Sequence, residues 1–362
     1  MHHPIPGEEI LTCIRKGIVI PASPLALDGR RQFDPRRQAA LMRYYCAAGA
    51  GGVAVAVHTT QFAIRKPEFD LLEPVLATCA HALDAWSRTA MRPVVKIAGI
   101  VGRTPQALRE AELAKSHGYH AGLLSLSAFG NDTVDEMIGH AKDISEVIPL
   151  FGFYLQPSVG GRVLPIEFWR RFVRIPNVVA IKIAPFNRYQ TLDVVRAVAE
   201  ENRENEIALY TGNDDSIIPD LITPYRFVIE GRVGTRCNVS LLRIRGGLLG
   251  QWAVGTKRAV ELLAEIHALV ESGADIPRSL LVRNIELTDV NAALFDAAHG
   301  FAGVIPGVHE ILRRQGLLEG IWTLDPEEGL SPGQLEEINR VHHAYPHLFD
   351  DEFVREHLHE WL

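Results

Sequence analysis

The sequence predicts an α/β protein of the (β/α)8 TIM-barrel class, and three observations predict it. Short apolar runs rich in β-branched residues alternate with segments of helical period, which implies a parallel sheet. Eight such units fit between Gly17 and Trp252, suiting one closed barrel of about 250 residues better than an open, doubly wound sheet. Polar residues with chemical potential fall near the C-terminal ends of the runs, where barrels of this class carry their active sites.

The elements follow in order. Gly17-Ile18-Val19-Ile20-Pro21 reads as a first strand, and Asp34-Pro35 as the start of a helix, with Asp at the N-cap and Pro in the first turn. Gly52 to Val57 is a second strand ending at His58-Thr59-Thr60, with a helix from about Glu68 to Ser87. Arg92 to Gly99 is the third strand, and Thr104-Pro105 opens a helix stopped at Gly118. Ala121 to Ser125 is the fourth strand, with a helix from Thr133 to Val147. Pro149 to Tyr154 is the fifth, with a helix from Pro165 to Val173. Arg174 to Pro185 carries the sixth, followed by a helix with Leu192, Val195 and Ala199 on one face. Ile207 to Thr211 is the seventh strand and Gly247 to Trp252 the eighth. Between these two, residues 225–246 alternate around Glu230-Gly231-Arg232-Val233-Gly234 and read as an inserted β-hairpin. From Pro277 onward the pattern is helical, broken by Gly and Pro. The expected organisation is a barrel over 1–276 with the hairpin inserted, and a C-terminal helical region over 277–362.

Bulk properties narrow the function. The chain has 362 residues, 47% of them hydrophobic, and a formal net charge of −7. No basic block tracks phosphates, so nucleic acid is not an expected partner. No apolar stretch approaches the roughly 20 residues that span a bilayer, and the N-terminus lacks the basic-then-apolar order of a signal peptide. Cys13, Cys46, Cys79 and Cys237 are widely spaced, so the expectation is free thiols in a reducing cytoplasm.

The sixth strand draws attention. In Val178-Val179-Ala180-Ile181-Lys182-Ile183-Ala184, one lysine interrupts an apolar run between Pro-Asn and Pro. Burial disfavours the ammonium and lowers its pKa, and a neutral amine can attack a carbonyl to form a Schiff base. A lysine with its stem on apolar surface and its ammonium in solvent or on a carboxylate fits the same run. Lys96, in Val94-Val95-Lys96-Ile97, is a rival of the same kind.

Over Gly17 to Ile338 the chain resembles the dihydrodipicolinate synthase/N-acetylneuraminate lyase family of Schiff-base-forming barrels. Ile175-Pro176-Asn177-Val178-Val179-Ala180-Ile181-Lys182 is similar to that family's Ile-Pro-Asn-hydrophobic-hydrophobic-Gly-Ile-Lys strand. Tyr154-Leu155-Gln156-Pro157-Ser158-Val159-Gly160-Gly161 is similar to its Tyr-Asn-x-Pro-x-x-x-Gly loop. Thr59-Thr60 falls where the family has Gly-Thr-Thr-Gly-Glu, and Gly212-Asn213-Asp214 resembles its Gly-Asp-Asp. The resemblance implies that Lys182 forms an imine with pyruvate or a related 2-keto acid, an electron sink for making or breaking an adjacent bond. It implies that Tyr154 moves protons, that Thr59 links it to a relay, and that Thr60, with its backbone N–H, holds the keto-acid carboxylate. His58, Gly160 and Gln251 are further candidates for substrate contact.

Departures matter too. His58 replaces the glycine before the threonines, and Gln61-Phe62 replaces Gly-Glu after them. Val159 stands where the synthases carry an arginine for the second substrate, with Arg162 displaced nearby, and Ser127-Ala128-Phe129 replaces a Pro-Tyr-Tyr stretch. Dihydrodipicolinate synthesis is therefore disfavoured. The expected activity is a cytoplasmic Schiff-base lyase or aldolase, with a dehydratase of a sugar-derived 2-keto-3-deoxy acid as one alternative and a non-catalytic keto-acid-binding barrel as another. Imine chemistry needs neither metal nor organic cofactor. The resemblance implies a homo-oligomer, dimer or tetramer.

Overall fold

The computed structural model describes residues 3–229 and 238–362. In chain order the elements are α1 (Glu8–Lys16), β1 (Val19–Pro21), α2 (Pro35–Ala47), β2 (Gly52–Val55), α3 (Leu72–Ala90), β3 (Val95–Ile100), α4 (Thr104–Ser116) and β4 (Ala121–Leu124). Next come α5 (Val134–Ser145), β5 (Leu150–Leu155), α6 (Ile166–Phe172), β6 (Val178–Ala184), α7 (Arg188–Glu200), β7 (Ala208–Thr211) and α8 (Ile217–Ile222). The remainder is β8 (Tyr225–Ile229), β9 (Asn238–Leu242), β10 (Ile244–Leu249), α9 (Thr256–Ser272), α10 (Arg278–Leu294), α11 (Val304–Arg314), α12 (Gln334–Ala344) and α13 (Asp351–Trp361).

The fold class is the expected one. Eight strands form one sheet in the order β1-β10-β7-β6-β5-β4-β3-β2, the succession of a (β/α)8 barrel. The interiors of these strands are apolar apart from Lys96 in β3, Lys182 in β6 and Arg245 in β10, because parallel strands are covered on both faces. The eighth strand, β10, starts at Ile244 and stops at Leu249, and Gln251-Trp252-Ala253 forms a 3-10 turn. The helix after β2, α3, begins at Leu72 rather than near Glu68, and Phe62–Arg65 forms a separate 3-10 turn. The antiparallel pair β8–β9 flanks the expected hairpin from Tyr225↔Leu242 to Ile229↔Asn238. The glycine-centred segment that predicted its tip, Glu230 to Gly234, lies outside the described residues.

The chain divides into two compact units. The first comprises residues 1–17, 100–116 and 120–247. Here α1, which the apolar-run pattern did not announce, packs against β6 and β7, and the Tyr210 hydroxyl donates to Ile14 O at 2.8 Å. Helix α5 opens with a capping box in which Thr133 and Glu136 bond each other's backbone N–H.

The second unit comprises residues 18–99, 117–119 and 248–362. Asp34 caps α2 by accepting from Arg37 N. The C-terminal helical region belongs to this unit and is tied to α2: Tyr44 donates to Asp350 at 2.7 Å, and Asp350 in turn caps α9 through Lys257 N and Arg258 N. The Gln61 side chain accepts from Leu324 N at 2.6 Å. Among the described residues no helix is long and apolar enough to cross a membrane.

Candidate active site

Strand β6 is held at its entry by backbone clamps. Arg203 donates to the carbonyls of Val173, Ile175 and Pro176, and Asn177 Nδ2 donates to Ser145 O at 2.7 Å and Pro4 O at 3.1 Å. The strand then buries every residue except Lys182, which is half-buried. In the parallel register Lys182 pairs with Phe153 on β5 and with Tyr210 on β7, so an aromatic residue stands on either side. The Phe153 ring lies under the ammonium, 4.6 Å from Nζ to the centroid, a cation–π contact. Gly212 gives the lysine stem its room, since a Cβ there would lie 2.6 Å from Lys182 Cε. Burial lowers the Lys182 pKa from 10.5 to about 8, against the opposing pull of the Asp214 carboxylate.

Asp214 follows from the turn after β7. Thr211 and Asn213 both turn their side chains to the buried Asp220, at 2.7 and 2.9 Å, and Asn213 also accepts from Phe186 N at 3.0 Å. Arg188 pairs with Asp220 and donates to Tyr225 Oη and Ser216 Oγ. Asp220 is the charge hidden in the apolar run Ile217 to Ile222; that anomaly was its sequence signal.

Tyr154 is not the strand partner of Lys182. The 28-residue interval from Tyr154 to Lys182 would pair them if β5 and β6 ran in step from Leu150↔Val178. An irregularity after Leu150 instead pairs Phe151 with Ala180, Phe153 with Lys182 and Tyr154 with Ile183. A slip of one residue sends a side chain to the other face. Tyr154 accordingly packs on Trp169 of α6, 5.3 Å between rings. Its hydroxyl donates to Leu164 O at 3.3 Å and accepts from Leu164 N at 3.1 Å. Burial pushes its phenol pKa up.

Within the same unit Gly160 closes the 3-10 turn Pro157–Val159 with φ +90°, a conformation favouring glycine. Arg162, displaced from the synthases' position, donates to the backbone carbonyls of Phe129 and Asp132. It straps the loop after β5 to the loop after β4. The Phe129 ring contacts both His140 and the Arg103 guanidinium.

The remaining candidates lie in the second unit. Thr59 Oγ1 donates to Ala22 O at 2.9 Å, and Thr60 Oγ1 to Ser23 O at 2.6 Å. The two threonines pin the end of β2 to the loop after β1. The Thr60 N–H, expected to hold a carboxylate, donates to Val57 O at 3.0 Å inside the turn. His58 is half-buried, edge-on to Phe62 at 5.8 Å. Gln251 is buried in its 3-10 turn and lines a cavity of about 330 Å³ with Arg258, Arg283, Leu287 and His347. Lys96, the rival lysine, is buried in an ion pair with Asp84 of α3 at 2.6 Å. Among the described residues no group of three or more His, Cys, Asp or Glu is arranged to hold a metal.

Comparison with known proteins matches residues 84–269, half of the chain, to the model of the dihydrodipicolinate synthetase family. The segment includes Tyr154, Lys182 and Gly212 to Asp214. The 4-hydroxy-tetrahydrodipicolinate synthase of Caldicellulosiruptor bescii is 34% identical over 103 residues, 28% of this chain and 32% of that protein. The chain thus spans about a third of the length of the curated relatives it matches. The dihydrodipicolinate synthase of Oceanobacillus iheyensis superposes with a TM-score of 0.72 at 14% identity, covering 93% of this chain and 99% of that one. A prophage protein of the dihydrodipicolinic acid synthase family from E. coli K12, solved in complex with pyruvate, gives 0.70 at 14% identity over 91% and 98%. At such identities the likeness establishes the fold.

Proposed function

Because the chain belongs to the dihydrodipicolinate synthetase family, we propose that it is a Schiff-base lyase or aldolase that carries pyruvate or a related 2-keto acid on Lys182. The observation that carries this reading is the state of that amine. It stands half-buried between Phe153 and Tyr210, and its pKa is lowered to about 8. A lysine so placed is a far better nucleophile at neutral pH than one near 10.5. Attack on the keto carbon and loss of water give an iminium, whose positive nitrogen accepts electrons from an adjacent bond. Lys96 is the weaker rival, because its amine is tied to Asp84 at 2.6 Å.

The second substrate is not the one a dihydrodipicolinate synthase takes. Val159 offers no charge where those enzymes carry an arginine, and Arg162 spends its guanidinium on two backbone carbonyls. The reading includes a homo-oligomer working in the cytoplasm, as sequence analysis implied.

Borohydride reduction in the presence of pyruvate, followed by peptide mass spectrometry, tests the assignment. The expected result is a reduced adduct on Lys182. An adduct on Lys96, or none with pyruvate and a series of longer 2-keto acids, would refute it.

A further inference from the structure

We propose that an oxyanion site lies at the N-terminal ends of β7 and β10, formed by Arg15, Arg243, Arg245 and Glu204, and that its ligand is free hydrogen phosphate. The site is independent of Lys182 and its chemistry. Every residue in it belongs to the first compact unit.

Two features of the backbone bring these residues together. In β10 Ile244 pairs with Leu209 and Gly246 with Tyr210, so Arg245 is an extra residue with no partner on β7. Such a bulge re-aims the side chains around it. The end of α1 meets the bulge directly. A Cβ on Gly17 would lie 2.2 Å from Arg245 O, so glycine is what lets the two backbones touch. Tyr210 pins the same helix end through Ile14 O, and Arg245 donates to Arg15 O at 3.3 Å. The three arginines thereby line one cavity of about 110 Å³, together with Glu204 and Asn205 from the loop before β7. That volume is well below the roughly 300 Å³ at which pockets for larger organic ligands begin, and it suits a small ion.

The charges there are incompletely matched. Nε of Arg15 and Nε of Arg243 are buried with no hydrogen-bond partner among the described residues. Arg243 gives its Nη2 to Leu221 O, a neutral acceptor. Burial, with the Arg245 charge beside it, pulls the Arg243 pKa below its ordinary value. An anion relieves guanidiniums crowded in this way, and their forked donors match oxyanion geometry.

Glu204 decides which anion. Its Oε2 is also buried and without a hydrogen-bond partner among the described residues, and an ionised carboxylate can only accept. The ligand must therefore bring a donor as well as acceptors. Sulfate has no donor at neutral pH. A phosphomonoester loses its last P–OH near pH 6. Inorganic phosphate keeps one P–OH through neutral pH. It can donate that proton to Glu204 while its other oxygens accept from the arginines. An α-amino acid also carries both kinds of group, but it offers the guanidiniums fewer oxygens.

The experiment is isothermal titration calorimetry on the full chain at pH 7.5, at constant ionic strength set with chloride. The probes are inorganic phosphate, sulfate, glycerol phosphate and glycine. Saturable binding of phosphate is expected, with each of the others weaker by about tenfold or more, the weight of one hydrogen bond to a charged group. Arg15→Ala and Arg243→Ala should each weaken phosphate by about tenfold or more on the same ground. Lys16→Ala removes an equal charge from the exposed neighbouring position and should leave the affinity within about twofold, as expected for a screened surface charge. Glu204→Gln supplies a donor in place of an acceptor, so phosphate should weaken, sulfate should strengthen, and the preference should vanish. Absence of saturable phosphate binding overturns the proposal. So does sulfate, glycerol phosphate or glycine binding the wild type as tightly as phosphate. Equal losses from Lys16→Ala and Arg15→Ala also overturn it, because they would reveal diffuse attraction. Where an arginine variant does not fold, Glu204→Gln decides, and an unchanged ratio of phosphate to sulfate affinity overturns the proposal.

Discussion

A Cβ on Gly212 would meet Lys182 Cε at 2.6 Å and Ala184 Cβ at 2.8 Å. Glycine there is a matter of space, since its φ is not in the left-handed region. Gly212→Ala must push the lysine stem aside or separate β6 from β7. The expected cost is about 1–3 kcal/mol, as for other overpacked interiors, together with a large loss of adduct formation. Urea denaturation and borohydride trapping on the same preparation check both. Full trapping in a destabilised variant would show that the lysine tolerates displacement.

The lowered pKa of Lys182 has a definite sign. Its folded value, about 8, lies below the ordinary 10.5. Between the two the unfolded chain binds more protons, so this residue's contribution to stability rises with pH across that window. Adduct formation should rise through about pH 8 and then level off. Lys182→Met should abolish the adduct and stabilise the fold at pH 7 by about 1 kcal/mol, a common gain where a functional residue is replaced by one that suits the packing. That gain over wild type should shrink between pH 8 and 10, which paired urea titrations at the two pH values would reveal.

Tyr154→Phe removes a hydroxyl that satisfies both the N–H and the C=O of buried Leu164. Leaving such a donor unpaired costs about 1–3 kcal/mol. The variant should lose stability by that amount. A loss of several hundredfold in trapping rate with unchanged stability would instead place the tyrosine in the reaction.

Lys96 and Asp84 give the opposite pattern to Lys182. The lysine is buried and its partner is half-exposed. Lys96→Ala should cost about 2 kcal/mol through the broken pair and lost packing, and mass spectrometry should still find the adduct on Lys182. Thermal unfolding checks the first part.

The fold was largely legible because burial on both faces writes each parallel strand as an apolar run. The cap at Asp34 was equally plain. Helix α1 escaped because it buries only Leu11 and Ile14, too few to mark a period. Lys182 was legible as a charge in an apolar strand, and Asp220 was present as the same signal but unread. The neighbours of Lys182 were not legible at all. Pairing across strands depends on register, and the shift between Leu150 and Phe151 leaves no residue-level mark. Gly212-Asn213-Asp214 was visible as a motif, but which of the three faces the lysine needed Asp220 to fix the alternation.

That shift behaves like a reading frame in space. Pro149-Leu150-Phe151-Gly152-Phe153-Tyr154 offers a phenyl ring and a phenol in adjacent positions, and the pairing step decides which of them the lysine meets. Closing the step between Leu150 and Phe151, with Phe153, Tyr154 and Lys182 all unchanged, would exchange the two. Two sequences identical at every functional letter would then present different rings to the lysine. The motif letters alone therefore do not say which side chain faces the amine; the pairing step does.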